Sequence, residues 1–318
     1  MATWKRILVA IKQPGARRQP VLERAAALAR ASGAQLRLFH DLSMPVPIDA
    51  LGGPGQSLAS EVRDLRAAAR ERLERLVRPL RATGLDASGA AEWDYPAAEA
   101  IVREARSWGA DLVVVARSGH HRLPTLLGYT DWELLRSCPV PVLMVQAGRR
   151  RARECVVAAV DPQHAYAKPA ALDGQILVQA TSAATALRAQ CHAVHVLAPW
   201  LAGNSPAPAR GPRSASAMAR TALRRESAAV AVGAPKLHVV PGDPVEALPR
   251  AARRLRATVF VMGAMSRSGL KRLFIGNTAE RVLDSIGCDL LVVHPAGFDP
   301  KLPGRRRGVY YLSTIPLT

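Results

Sequence analysis

The chain contains one unit twice, and that repeat limits what it can fold into. Residues 258–295 read TVFVMGAMSRSGLKRLFIGNTAERVLDSIGCDLLVVHP, and residues 111–145 read DLVVVARSGHHRLPTLLGYTDWELLRSCPVPVLMV. Each is a short apolar run, a loop with glycines, a helical stretch and a second apolar run. Arg136 and Asp284 share one offset with Val142 and Leu290. Repeats of this kind mean two copies of one folding unit.

The rest of each half fills in around that motif. Residues 6–11 predict strand 1. Residues 19–32 repeat Val21, Leu22, Ala25, Leu28 and Ala29 at helical spacing, and Gly33 stops them. Residues 36–40 predict strand 2. Leu58, Val62, Leu65, Ala69, Leu73, Leu76 and Leu80 mark a long helix with one apolar stripe. Residues 87–92 give a third strand of weaker signal. A helix follows from Pro96 to Gly109, then strand 4 over 111–116, a helix over 126–138 and strand 5 over 141–145. The pattern restarts with strand 155–160, helix 172–190, strand 193–197, helix 215–232 and strand 237–240. Asp243-Pro244-Val245-Glu246 is a helix start: a capping Asp, a proline at the first position and a Glu three residues on. Strands alternating with helices predict an α/β fold of two tandem doubly wound domains, each a five-stranded parallel sheet with helices on both faces. The expected division is 1–148, a basic linker 149–153, 154–296 and an extended tail 297–318. Tyr310, Tyr311, Leu312 and Ile315 offer that tail an anchor.

Composition removes several function classes. No apolar run reaches about 18 residues, so no membrane span is expected. Cys138, Cys155, Cys191 and Cys288 form no CxxC pair, which suits a reducing, cytoplasmic setting better than a metal site. The formal net charge of +19 favours anionic contacts. The arginines are spread over many helices, so a solvated basic surface and a nucleic-acid surface both stay open. The chain has no GxSxG, HExxH, Walker or GxGxxG pattern. It offers no catalytic constellation and no metal motif. His195 and His238 lie on strands, where hydrogen bonding at the sheet is the expected role. His120 and His121 are adjacent in a loop with no nearby ligand partner.

Ligands of open α/β sheets sit beyond the carboxyl ends of the strands, where strand order reverses. In the second half that edge carries Asp161 and the loop that starts at Gly263. Glycines turn backbone amides toward an anion, and the following helix start offers free N–H groups. Arg267, Lys271 and Arg272 add positive charge. Asp161 can accept from a ribose hydroxyl or an adenine amine. The other reading is that the glycines serve a tight turn, and that Asn277 with Glu280 caps its own helix. In the first half Lys12 stands where Asp161 does, and the loop spacing differs.

These motifs resemble those of the universal stress protein family, and in particular its tandem-domain, stress protein E type. The family loop is G-x2-G-x9-G-[S/T]. Gly263 and Gly276 stand at that separation, Ser266 replaces the middle glycine, and Asn277, followed by Thr278, replaces the Ser/Thr. FIGNTAERVLDSIGCDLLVVHP is similar to the second domain of tandem members, and TDWELLRSCPVPVLMV to the first. The resemblance covers roughly residues 4–296. It implies the sheet order 3-2-1-4-5 in each half and an internal pseudo-dimer through the last strands. It also implies ATP or another adenine nucleotide at Asp161, Gly263, Ser266, Gly276, Asn277 and Thr278, with slow hydrolysis at most. A second copy of the chain and a protein partner are the further candidates for association. The alternatives are a scaffold with vestigial pockets and a basic, nucleic-acid-associated stress factor.

Overall fold

The computed structural model describes residues 4–42, 58–117, 129–148, 152–163, 171–197, 212–228, 233–264, 277–298 and 302. The first half runs β1 (Arg6–Ala10), α1 (Pro20–Ser32), β2 (Gln35–Asp41), α2 (Leu58–Ala82), β3 (Ala87–Glu92), α3 (Ala97–Trp108), β4 (Leu112–Ala116), α4 (Tyr129–Ser137) and β5 (Val142–Val145). The second half runs β6 (Cys155–Ala159), α5 (Ala171–Ala186), β7 (Gln190–Leu197), α6 (Pro212–Ala228), β8 (Lys236–Pro241), α7 (Pro244–Arg254), β9 (Val259–Gly263), α8 (Asn277–Ser285) and β10 (Asp289–Val293).

Helix ends follow local chemistry. Gly33 and Gly109 close α1 and α3 in the left-handed conformation, at φ 70° and 71°, where a Cβ would be strained. Asp243 caps α7, its side chain accepting from the Val245 amide at 2.8 Å. Boundaries shift by a few residues from the sequence reading, most tellingly where α5 gives way to β7. The helix expected over 172–190 ends at Ala186, and Gln190 opens β7. The reason is local: Arg188 turns at φ 51°, and the Leu187 and Ala189 amides fold back onto Ala183 O and Ala184 O. The alanine-rich sequence 183–189 carries no glycine to signal that stop.

The ten strands form one sheet in the order β3-β2-β1-β4-β5-β10-β9-β6-β7-β8. Each half is parallel in the order 3-2-1-4-5, as expected. The halves join where β5 and β10 pair antiparallel, Leu291 opposite Leu143. The central strands are buried on both faces, so they are continuous runs of Val, Leu and Ile. One apolar core lies on each face of the sheet, and each runs through both halves. At about 25 cal/mol per Å2 of apolar surface, cores this extensive dominate the stability.

Polar contacts across the seam fix how the halves meet. Buried Arg24 on α1 reaches Asp289 of β10 at 2.7 Å and Glu154 at 2.9 Å. Asp289 also accepts from the Gln146 amide. Burial by itself lowers the Arg24 pKa, but Asp289 and Glu154 outweigh it and the net shift is upward. Trp4 donates its indole N–H to Gln179 on α5.

The carbonyls at the ends of α4 and α8 are each capped from the opposite half. Buried Arg117, just past β4, donates to Leu283 O and Ile286 O. Buried His294, just past β10, bonds Leu135 O at 2.7 Å. Leu135 and Leu283 occupy matching places in the repeat, so each helix end relies on its neighbour. The proposed tail anchor at 310–315 lies outside the described residues. The contacts that are described come earlier: Phe298 stacks on His294, and Leu302 packs on the same core.

Candidate functional site

The backbone puts the two halves in register. Ile11 N–H bonds Phe39 O, and Val160 N–H bonds Val194 O. The next residues, Lys12 and Asp161, are therefore equivalents, as the sequence implied. Both follow a central strand that has β2 or β7 on one side and β4 or β9 on the other. That is the strand-order reversal where open α/β sheets leave a crevice. The two residues differ in sign and in exposure. Lys12 is exposed, whereas Asp161 is buried.

Asp173 and His195 lie against Asp161. Its amide donates to the Asp173 carboxylate at 3.0 Å. Asp173 lies on α5 and is fully buried. His195 Nδ1 sits 3.8 Å from Asp161 Oδ1 and donates to Val160 O at 3.2 Å, while Nε2 is 3.1 Å from Gln163 Oε1. The equivalent His40 makes the matching bond to Ile11 O at 2.7 Å. The strand histidine therefore ties the end of the central strand to its neighbour in both halves. This is the sheet-bonded role expected for His195. Sequence reasoning missed Asp173, because a lone Asp in the first turn of a helix looks like a solvated end.

Gly263 closes β9 beside this site. A Cβ there would lie 2.7 Å from Leu172 Cδ2 and 3.1 Å from Ile176 Cδ1, both on α5. The glycine thus brings α5 down onto β9. The equivalent Ala116 is exposed and has no such constraint. Ser266 and Gly276 lie outside the described residues. Asn277 and Thr278 open α8, and their side chains also lie outside the description, as do His120 and His121.

His238 is hydrogen-bonded at the sheet as expected, but to a side chain rather than to a backbone carbonyl. It stacks on His192, with His192 Nδ1 2.8 Å from His238 Nε2. Burial depresses both rings. His238 and Lys236 lower His192 further, and Arg254 and Lys236 lower His238 further. All four cysteines are free thiols, and burial pushes Cys138 and Cys191 up to about 12. Such thiols are protonated and inert. Among the described residues no group of three or more His, Cys, Asp or Glu is placed to hold a metal ion, and no helix is long and apolar enough to cross a membrane.

Comparison with known proteins agrees with this architecture. The universal stress protein family model matches residues 3–146 and again 156–294. Universal stress protein E of Photorhabdus laumondii is 26% identical over 312 residues, covering 94% of this chain and 98% of that protein. Universal stress protein E of Escherichia coli K12 is 32% identical over 218 residues, covering 64% of this chain and 66% of that one. A functionally unknown protein of Pseudomonas aeruginosa PAO1, solved by crystallography, superposes with a TM-score of 0.68 at 25% identity, covering 92% of this chain and 94% of that one. Two family units in one polypeptide, joined through β5 and β10, place this chain in the universal stress protein family, with the tandem organisation of its E type.

Proposed function

We propose that the protein is a stress-response sensor or interaction module that binds one adenine nucleotide in its second half and none in its first. The carrying observation is the contrast at the strand-order reversal: buried Asp161 in one half, exposed Lys12 in the other. A carboxylate accepts from ribose hydroxyls or an adenine amine, while an ammonium can do neither. In this reading Gly263, Ser266, Gly276, Asn277 and Thr278 supply backbone amides and short side chains for the phosphates. The protein acts in the cytoplasm as a binder, with slow hydrolysis at most.

The test starts with what the purified protein carries. Denaturation followed by chromatography is expected to release about one adenine nucleotide per chain, or titration with ATP to give one site. Asp161→Ala is expected to weaken that site at least about tenfold, the value of a hydrogen bond to a charged group. Lys12→Ala should leave it unchanged. No co-purifying nucleotide and no heat on adding ATP would sink this reading. A scaffold with vestigial pockets then takes its place. The packing of Leu172 against Gly263 favours that second reading, because it accounts for the glycine without a ligand.

A further inference from the structure

The two outer edges of the sheet, β3 and β8, are finished differently. On β3, Gly89 and Ala91 face α2, and a Cβ at Gly89 would lie 3.2 Å from Leu73 Cβ, so the helix lies close. In register, Leu237 and Val239 hold those places on β8. These bulkier residues are only partly buried against the core. The covering helix there, α6, has 17 residues against 25 in α2. Arginines also close the β3 edge. Arg81 donates to the outward carbonyl of Ala87 at 2.7 Å, and Arg66 grips both oxygens of Glu92 at 2.6 Å.

Nothing comparable closes β8 among the described residues. The Gly242 amide bonds Leu197 O. Peptide groups alternate along a strand, so the even positions face β7 and Leu237, Val239 and Pro241 face outward. Pro241 sits where its missing N–H would have pointed to solvent. A cavity of about 460 Å3 wraps this edge, lined on one side by Arg220 of α6 and on the other by Arg250 and Arg254 of α7, with His238 and Val240 between. Arg250 reaches Glu246 at 3.5 Å on the exposed face of α7. Arg220 and Arg254 have no carboxylate partner among the described residues, and Lys236 adds a further charge.

We propose that the β8 edge receives an acidic, extended segment of a partner protein, which adds as an eleventh strand. Its backbone pairs with the outward groups of Leu237, Val239 and Pro241. Its carboxylates, on alternate sides, reach Arg220 and the Arg250–Arg254 pair. Strand addition takes affinity from backbone bonds and specificity from the alternate side chains. The sign of the charge excludes two other occupants. The chain's own 297–318 segment carries Lys301 and Arg305 to Arg307. A second copy of β8 would bring Lys236 and Arg254 against their own images.

The probe is a fluorescently labelled peptide alternating Glu and Val over six residues, added to the full chain at low salt, with binding read by anisotropy. Saturable binding is expected. It should weaken about tenfold or more in the double variant Arg220→Glu plus Arg254→Glu, whose exposed positions leave the fold intact. Asp161→Ala should not change it, which separates this site from the nucleotide reading. The same peptide methylated on every amide nitrogen keeps its charge but loses its donors and should not bind. Equal binding of the methylated peptide, no binding of either, or displacement of the peptide by a single-stranded oligonucleotide of equal charge at equal concentration overturns the proposal.

Discussion

The two halves share a backbone plan and differ in what surrounds it. The first half has an exposed lysine at the crevice, an unconstrained Ala116 and an outer edge covered by a 25-residue helix. The second half has a buried carboxylate, a glycine pressed against Leu172 and an edge strand bordered by arginines. In a tandem protein one copy can keep the scaffold while the other keeps the site. The halves are nonetheless tied to each other at the seam. Each stabilises the other's helix ends, and the ion cluster at the seam takes Arg24 from one half and Glu154 and Asp289 from the other.

That interdependence should give the largest effect. Arg24→Ala removes the buried cation that bridges Glu154 and Asp289. It is expected to cost about 3–5 kcal/mol in chemical denaturation. Two separate unfolding transitions, with only one shifted, would show that the halves are independent.

A second effect is pH-dependent and belongs to the second half's cap alone. His294 is pushed down to about 4 by burial, which outweighs its bonds to the Leu135 and Val140 carbonyls. An unfolded histidine titrates near 6.5. The folded state therefore resists the proton, so this stabilisation is full above about pH 6.5 and is lost as pH falls toward 4. Roughly 2–3 kcal/mol should go over that window. His294→Gln should flatten the slope measured by denaturation at several pH values. Its counterpart, Gln146, does not titrate. A variant with an unaltered slope would move the pH dependence to another group.

Next comes Gly263→Val against Ala116→Val. The first drives a side chain into Leu172 and should cost about 1–3 kcal/mol. The second adds atoms at an exposed position and should stay within about 0.5 kcal/mol. Equal melting temperatures for the two would mean that α5 yields freely. The smallest effect is Glu71→Ala, which removes an exposed i,i+4 pair with Arg75. It should move stability by only a few tenths of a kcal/mol.

Much of this was legible in the sequence. Strands β1, β4, β6, β9 and β10 are buried on both faces, so continuous apolar runs announce them. The repeat gave the two units, and the place just past the first strand of each half matched Lys12 with Asp161. Other features have no sequence signal. Asp173 looks like a solvated helix start until α5 places it against the Asp161 amide. The end of α5 falls at Ala186 within alanine-rich sequence. The caps from Arg117 and His294 join residues about 160 positions apart, as in the bond from His294 to Leu135.

Sequence alone determined the elements, their alternation and the doubling, because hydrophobic period and turn chemistry are local properties of a chain. Tertiary structure decided which carboxylate is buried, which glycine is needed for packing and how each outer edge is finished among the described residues. Those outcomes depend on how closely a distant helix approaches a strand. The volumes of residues such as Gly89 and Gly263 set that distance, and they matter only once the chain brings the helix to them.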